Sequence, residues 1–415
     1  MSDHGAAEPL RQHLASVVRD EGGRILAVLA RATGDLQLAE DAVQDASVAA
    51  MEVWPRTGVP ADPSAWLYVA ARRKALDSLR REGQRHDKER AADQRQALLE
   101  QDPPAPSVVR DDQLRLIFTC CHPALALESR VALTLRVVCG LPTPEIARAL
   151  LVSEAAMAKR LTRARQKVAT ARIPFRVPEP ADLPERMAAV CAVIHLTFTA
   201  GHSAAGRETI RADLCDEAIR LARLVSSLHP GDATVEGLLA LLLLSDARRS
   251  ARVDGDGGLV ALADQDRTTW DQDLVAEGLA RLDASLRASD GMADPYQLQA
   301  AIAACHATAP SYAATDWPEL VRLYGLLAEV HPSPAVVLNA AVPIAEVRGP
   351  RAALATLEEI APDQRAYLWH AARADMLERL GEFDAARDAF ATAVAGAPSL
   401  PERDHLRRRM QALTG

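Results

Sequence analysis

The sequence predicts an all-α protein in which two small helical domains, the second a helix-turn-helix, precede a helical-repeat array. Three observations carry that prediction. Alanine, leucine and arginine are abundant, long β-branched runs are absent, and aromatics make up only 4% of the chain beside 49% hydrophobic residues, a composition that favours helix over strand. Apolar residues recur at helical spacing between short Gly, Pro and Asp breaks, the pattern of amphipathic helices. At 415 residues the chain exceeds the roughly 100–200 residues of a usual domain, so several cores are expected.

The first domain is expected over 10–82. Within it, RILAVLARATGDLQLAEDAVQDASVAAMEV (24–53) keeps helical spacing on either side of Thr33-Gly34-Asp35, where Gly34 can end one helix and Asp35 cap the next. The turn-rich stretch from Pro55 to Pro63 leads to Ser64, a candidate cap for a third helix from Ala65 to about Arg81. Residues 83–109 read as a linker, because their charges are mixed and QDPPAPS (101–107) discourages helix.

A second helical domain is expected over 110–172, a connector over 173–183 and the repeat array over 184–415. In the array Ala353, Leu357 and Ile360 recur 33 residues later as Ala386, Phe390 and Ala393. The later set lies in LGEFDAARDAFATAVAGAP (380–398), whose small and aromatic positions suit the close helix pair of a tetratricopeptide-like repeat. Residues 184–330 keep the helix-pair texture without a clean period.

Charge divides the same way. The net charge of −8 hides 25 Lys/Arg against 22 Asp/Glu in residues 1–175, and 23 against 34 in residues 176–415, which is +3 and −11. A basic module meant for phosphates, joined to an acidic one, has this balance. The six cysteines are scattered through a large chain, which fits a reducing cytoplasm better than a disulfide framework. MSDHGAAEPLRQHL has no basic start followed by an apolar stretch, and the run Leu238 to Leu244 is too short to span a bilayer. A cytoplasmic protein without membrane attachment is expected.

The strongest local signal is Gly140 to Lys167, GLPTPEIARALLVSEAAMAKRLTRARQK. Thr143 can cap a short helix with Pro144 at its first position, and Ser153 can cap a second helix after a brief turn. On that second helix Met157, Leu161, Ala164 and Val168 fall inward, while Ala155, Ala156, Lys159, Arg160, Arg163, Gln166 and Lys167 fall outward. Small residues at the start admit the helix to a major groove, and the long cations beyond reach base edges or phosphates. No acidic residue occurs from Ala155 to Pro178, which distinguishes this face from an ordinary solvated one.

A second basic cluster, Arg72-Arg73-Lys74 with Arg80-Arg81, follows Trp66 and Tyr68. Two readings fit. Aromatics beside cations suit melting DNA, because unstacked bases lie on rings while phosphates meet charges. Equally, Trp66 and its apolar neighbours can form an ordinary core with the arginines in water.

In this order and at this separation the two clusters resemble the extracytoplasmic-function class of sigma factors. Ala39-Glu-Asp-Ala-Val-Gln-Asp-Ala46 looks like that family's polymerase-binding helix, residues 63–81 like its −10 helix and the helix-turn-helix like its −35 reader. FTCCHPAL (118–125), LADQDRTTW (262–270), PYQLQAAIAACHA (295–307) and TDW (315–317) look like the subgroup with a tetratricopeptide-like C-terminal extension. The resemblance implies RNA polymerase core and promoter DNA as partners. Glu40, Asp41, Gln44 and Asp45 would then face the β′ clamp helices, with the β subunit as a further contact. Departures fall in the extension, at His195-Leu-Thr-Phe-Thr-Ala-Gly-His202 and at Leu338-Asn-Ala-Ala-Val342 before Pro343. A free-standing helix-turn-helix regulator with a repeat sensor is the rival reading.

Other signals are not promoted. Cys120, Cys121 and His122 lack a second ligand pair at metal-site spacing, so no metal is expected. Asp254-Gly-Asp256-Gly-Gly258 lacks the later ligands of a calcium loop and reads as a flexible turn. No catalytic triad or phosphate cradle stands out, so neither enzyme activity nor a cofactor is expected. Gln265, Asp266, Arg267, Trp270, Tyr296, Gln297, Gln299, His306, Asp316 and Trp317 form a polar and aromatic cluster within a helical array. It reads either as a buried hydrogen-bond network or as a site for an unidentified ligand or protein.

Overall fold

The computed structural model describes residues 21–82, 106–150, 152–202, 211–255, 258–291 and 293–413. Among them the regular structure is helical, with one isolated antiparallel bridge between Val253 and Leu259. The chain divides into two compact units, Met1–Leu196 and Thr197–Gly415.

The first unit opens with α1 (21–33), α2 (Leu36–Thr57) and α3 (Pro63–Glu82). Gly34 ends α1 at φ +62°, a backbone conformation that costs glycine little, and the Asp35 carboxylate caps α2 by accepting from the Leu38 N–H at 3.1 Å. The expected Ser64 cap is corrected: the helix starts at Pro63, two residues before the expected Ala65, and Asp62 accepts from the Ala65 N–H at 2.9 Å. Packing of α2 on α3 buries Trp54, Leu67, Ala71, Ala75 and Leu79.

Next come α4 (Pro106–Cys120), α5 (Leu127–Val137), α6 (Thr143–Ala149) and α7 (Glu154–Thr170). The expected linker therefore ends sooner than 109. Pro106 can open a helix because an N-terminal residue needs no N–H donor; residues 83–105 lie outside the described set. Thr143 is likewise corrected, being inside its helix with Pro142 at the cap position and no side-chain cap. Ser153 does cap α7, its hydroxyl accepting from the Ala156 N–H at 3.3 Å. Gly140, at φ +70°, turns the chain between α5 and α6. Cys120 and Cys121 are buried, and Cys121 Sγ lies 3.5 Å from Thr134 Oγ1, so this pair packs helices.

Helix α8 (Leu183–His202) holds the division between the units, thirteen residues past the expected start of the array at 184. The reason lies in its first half: Arg186 donates to the Phe118 carbonyl at 2.6 Å, with its guanidinium 5.9 Å from that ring.

The second unit continues with α9 (Ala212–Leu228), α10 (Ala233–Asp246), α11 (Gln272–Ala288), α12 (Pro295–Thr308), α13 (Trp317–Val330), α14 (Pro334–Arg348), α15 (Pro350–Glu358), α16 (Tyr367–Arg379), α17 (Phe383–Gly396) and α18 (Leu400–Ala412). The run Leu238 to Leu244 is buried on all sides within α10, which makes it a core helix. No helix among the described residues is long and apolar enough to cross a membrane. Ala353, Leu357, Ile360, Ala386, Phe390 and Ala393 are all buried, so the 33-residue recurrence marks equivalent packing positions. Between α10 and α11 the chain makes three 3-10 turns and the Val253–Leu259 bridge. That insertion explains why no clean period shows before 330. Of the expected flexible turn at 254–258, residues 256 and 257 lie outside the described set, and the Gly258 N–H donates to the Asp254 carboxylate at 2.7 Å.

Candidate nucleic-acid interface

Helix α7 carries its charge because its other face is occupied. Met157, Leu161, Ala164 and Val168 are buried, which fixes the helix's rotation and leaves Ala155, Ala156, Lys159, Arg163, Gln166 and Lys167 exposed and Arg160 half-buried. The side chains of Lys159, Arg160, Arg163 and Lys167 form no ion pair among the described residues. With no acid nearby in sequence, their field is free to act on a polyanion. Arg160→Ala and Arg163→Ala are expected to lower promoter-specific transcription: a lost base contact costs about 1–3 kcal/mol and relaxes specificity locally, whereas a lost phosphate contact weakens all sequences alike. Unchanged transcription from a panel of single-base promoter variants would misplace the helix.

One arginine of α7 behaves differently. Arg165 turns inward and binds Glu40 of α2 with its Nη2 at 2.6 Å and its Nε at 3.0 Å from Oε2. Arg136 of α5 donates to the same carboxylate at 2.6 Å. Glu40 is only 6% exposed, so in this arrangement its expected place on a polymerase-facing surface is corrected: two guanidiniums from the helix-turn-helix half hold it inside the unit. A similar network joins Arg31 of α1 and Arg115 of α4 to the buried Asp112, at 2.9 Å and 2.7 Å. Burial pushes the Asp112 carboxyl up while both arginines pull it back. A cleft of about 870 Å³ beside this joint is lined by Asp35 to Gln37 and by Thr162, Arg165, Gln166, Ala169 and Arg172, so the contact there is ionic more than packed. Sequence reading missed Arg165 and Arg136. Arg165 sits four residues after Leu161 and three before Val168, at the edge of the inward seam, and that spacing was the available signal.

Asp41, Gln44 and Asp45 are exposed on α2, at the spacing that places three side chains on one face. Asp41 accepts from the Gln37 amide at 2.8 Å, and Asp45 lies 3.8 Å from Lys74 Nζ. An exposed pair of this kind contributes only about 0–1 kcal/mol and yields readily to a stronger partner.

On α3 the cluster splits. Tyr68 is 4% exposed, so its expected role as a stacking surface for bases is corrected: its ring belongs to the α2–α3 core. Trp66 is half-buried and meets the missed Trp54 edge-on, with ring centroids 5.3 Å apart and planes at 69°. Arg73, Lys74, Arg80 and Arg81 are exposed and Arg72 half-buried. Arg80 pairs with Asp77 at 3.2 Å, and Arg81 donates to the Asp77 carbonyl and the Ser78 hydroxyl. The helix thus presents four exposed cations and part of one indole.

The polar cluster of the second unit also divides. Gln297 donates to Ser285 and Ser289 at 2.8 Å and 2.6 Å, and its Oε1 accepts from the Asp294 N–H in a capping box. That part is a packing network. Arg267 donates to the His306 and Ala309 carbonyls and to Thr315, and His306 meets Trp317 edge-on at 5.9 Å.

Comparison with known proteins assigns these parts. Residues 17–85 match the Sigma-70 region 2 family, residues 115–168 match the Sigma-70 region 4 family, and residues 186–286 match a family of unknown function (DUF6596). The chain is 43% identical over 398 residues to an uncharacterized protein of Rhizobium meliloti (strain 1021), covering 94% of this chain and 93% of that protein. No solved structure matches.

Proposed function

The chain belongs to the sigma-70 family, and from that premise we propose that it reads the −35 element with α7 and the −10 element with α3 to select particular promoters. A sigma factor binds RNA polymerase core and promoter DNA and leaves transcript synthesis to the core. The observation that carries the residue-level reading is α7 itself, whose buried seam forces an unpaired row of Lys159, Arg163 and Lys167 outward. The two-region architecture supports placement in the extracytoplasmic-function class. The protein then works in the cytoplasm, without an enzyme activity or cofactor of its own. Run-off transcription with purified core and a genomic promoter library tests the reading: defined start sites that depend on this chain are expected, and their absence would sink it.

On α3, Arg73, Lys74, Arg80 and Arg81 would meet backbone phosphates of the melting strand, with the open side of Trp66 as the one aromatic surface. On α2, Asp41, Gln44 and Asp45 would meet the β′ clamp helices. Reversing both acids, Asp41→Lys with Asp45→Lys, is expected to weaken core binding at least tenfold while leaving the fold intact, because exposed substitutions usually shift stability by less than about 0.5 kcal/mol. Undiminished pull-down of core by that double variant would count decisively against this face.

The second unit would act in cis as a tetratricopeptide-like regulator or stabiliser of the promoter unit. The recurrence of buried positions at 353–360 and 386–393 supports the repeat character, and the −11 charge of residues 176–415 suits a part that does not itself approach DNA.

A further inference from the structure

Arginine 248 follows the buried helix α10, and its guanidinium donates no hydrogen bond and joins no ion pair among the described residues. Its neighbour Arg249 shows what ordinary satisfaction looks like here: it binds Asp246 and Asp216, both at 2.6 Å. Arg248 instead faces cations. Burial, and then the nearby charges of Arg252 and Arg267, push its pKa down to about 10. Neither of those two arginines forms an ion pair among the described residues. Arg252 donates to the His202 carbonyl at 3.0 Å, and Arg267 directs Nη1 at two carbonyls and Nη2 at the Thr315 hydroxyl, which leaves its Nε without an acceptor among the described residues.

Further polar groups around Arg248 lack partners. His306 Nδ1 and His202 Nδ1 are buried without a hydrogen bond among the described residues. Burial first, and then Arg248 and its neighbouring arginines, lower both imidazoles, His306 to about 4, so both are neutral at pH 7. The half-buried Tyr324 hydroxyl also feels Arg248 and forms no hydrogen bond among the described residues. Three like charges and several unsatisfied polar groups in one place are costly in the protein alone.

A cation does not resolve this. His202, Cys215 and Asp246 offer ligand atoms within 4.8 Å of one another, but Asp246 is already bound by Arg249 at 2.8 Å and 2.6 Å, and the surrounding arginines repel a metal ion. An anion resolves it fully. Guanidiniums are the preferred donors to carboxylate and phosphate oxygens, and neutral imidazole and phenol can add hydrogen bonds. Arg248 is only half-buried, so the site remains open to a ligand from solvent.

We propose that Arg248, Arg252 and Arg267, with His306 and Tyr324, form a binding site for a small ligand bearing a phosphate or carboxylate group. The site stands on residues of the second unit alone, so it is independent of the promoter reading. Its test is thermal unfolding of the full chain in inorganic phosphate and in citrate, each against sodium chloride at matched ionic strength. Either oxyanion is expected to raise Tm by a few degrees, with half-saturation at least tenfold higher in Arg248→Met. A response to phosphate alone identifies a phosphate-bearing ligand, and a response to citrate alone a carboxylate. Oxyanions that merely strengthen burial act on both proteins alike, so equal shifts in wild type and variant overturn the site, as does no shift in either. Without ligand, Arg248→Met should be at least as stable as wild type, because it removes an unpaired cation and keeps the aliphatic stem. A variant that unfolds or loses many degrees shows a structural arginine and also overturns the proposal.

Discussion

Glu40→Ala is expected to loosen the promoter unit between its two halves while sparing transcription. The carboxylate is buried and shared by Arg136 and Arg165, so removing it strands two guanidiniums in a low-dielectric joint, a loss of about 3–5 kcal/mol for a buried pair. If α7 and α3 read the two promoter elements as proposed, function does not need that joint closed. The −35 and −10 elements are separated by about 25 base pairs, roughly 85 Å at about 3.4 Å per step, whereas a compact unit of 196 residues has a radius of gyration of only about 16 Å. On that proposed reading the two helices part before both elements are engaged, and the Glu40 ion pairs break in that state. Calorimetry should show a lower or split transition for the promoter unit, X-ray scattering a larger radius of gyration, and run-off assays at least wild-type activity. Glu40→Gln, which keeps an acceptor without the charge, should fall between. If Glu40→Ala leaves unfolding and scattering unchanged but weakens core binding, then Glu40 faces the polymerase after all.

Ending the chain after Pro178 is expected to abolish transcription or lower it sharply. The cut removes α8, whose Arg186 binds the Phe118 carbonyl and covers its ring. It also removes Met187, Val190, Cys191 and Ile194, all buried. A polar tether would carry no such residues, and loss of a docked apolar segment exposes surface that favours aggregation. A chain ending after His202 keeps the Arg186 anchor and should retain more folded promoter unit than the shorter one, as measured by soluble yield and proteolysis. A Pro178-terminated chain that stays soluble and transcribes more strongly than the full protein would make the second unit an autoinhibitor.

Much of this architecture was legible in the sequence because its determinants are local. Asp35 and Ser153 cap helices through N–H groups three residues away, and the inward seam of α7 follows from helical periodicity alone. Buried Ala353, Leu357, Ala386 and Phe390 lie at the spacing that the repeat pattern predicted. Other features were decided only by tertiary structure. Acidic residues on one helix look alike in sequence, yet Glu40 is buried while Asp41 and Asp45 are exposed, because its partners arrive from 96 and 125 residues away. Tyr68 is withdrawn from the surface by packing of α2 on α3, and Arg248 meets Arg267 and His306 only when α10 and α12 come together. Capping and periodicity act over a few residues, so a sequence displays them directly. Burial and charge pairing depend on which distant groups fill the space around a side chain, and that is set only when the chain folds.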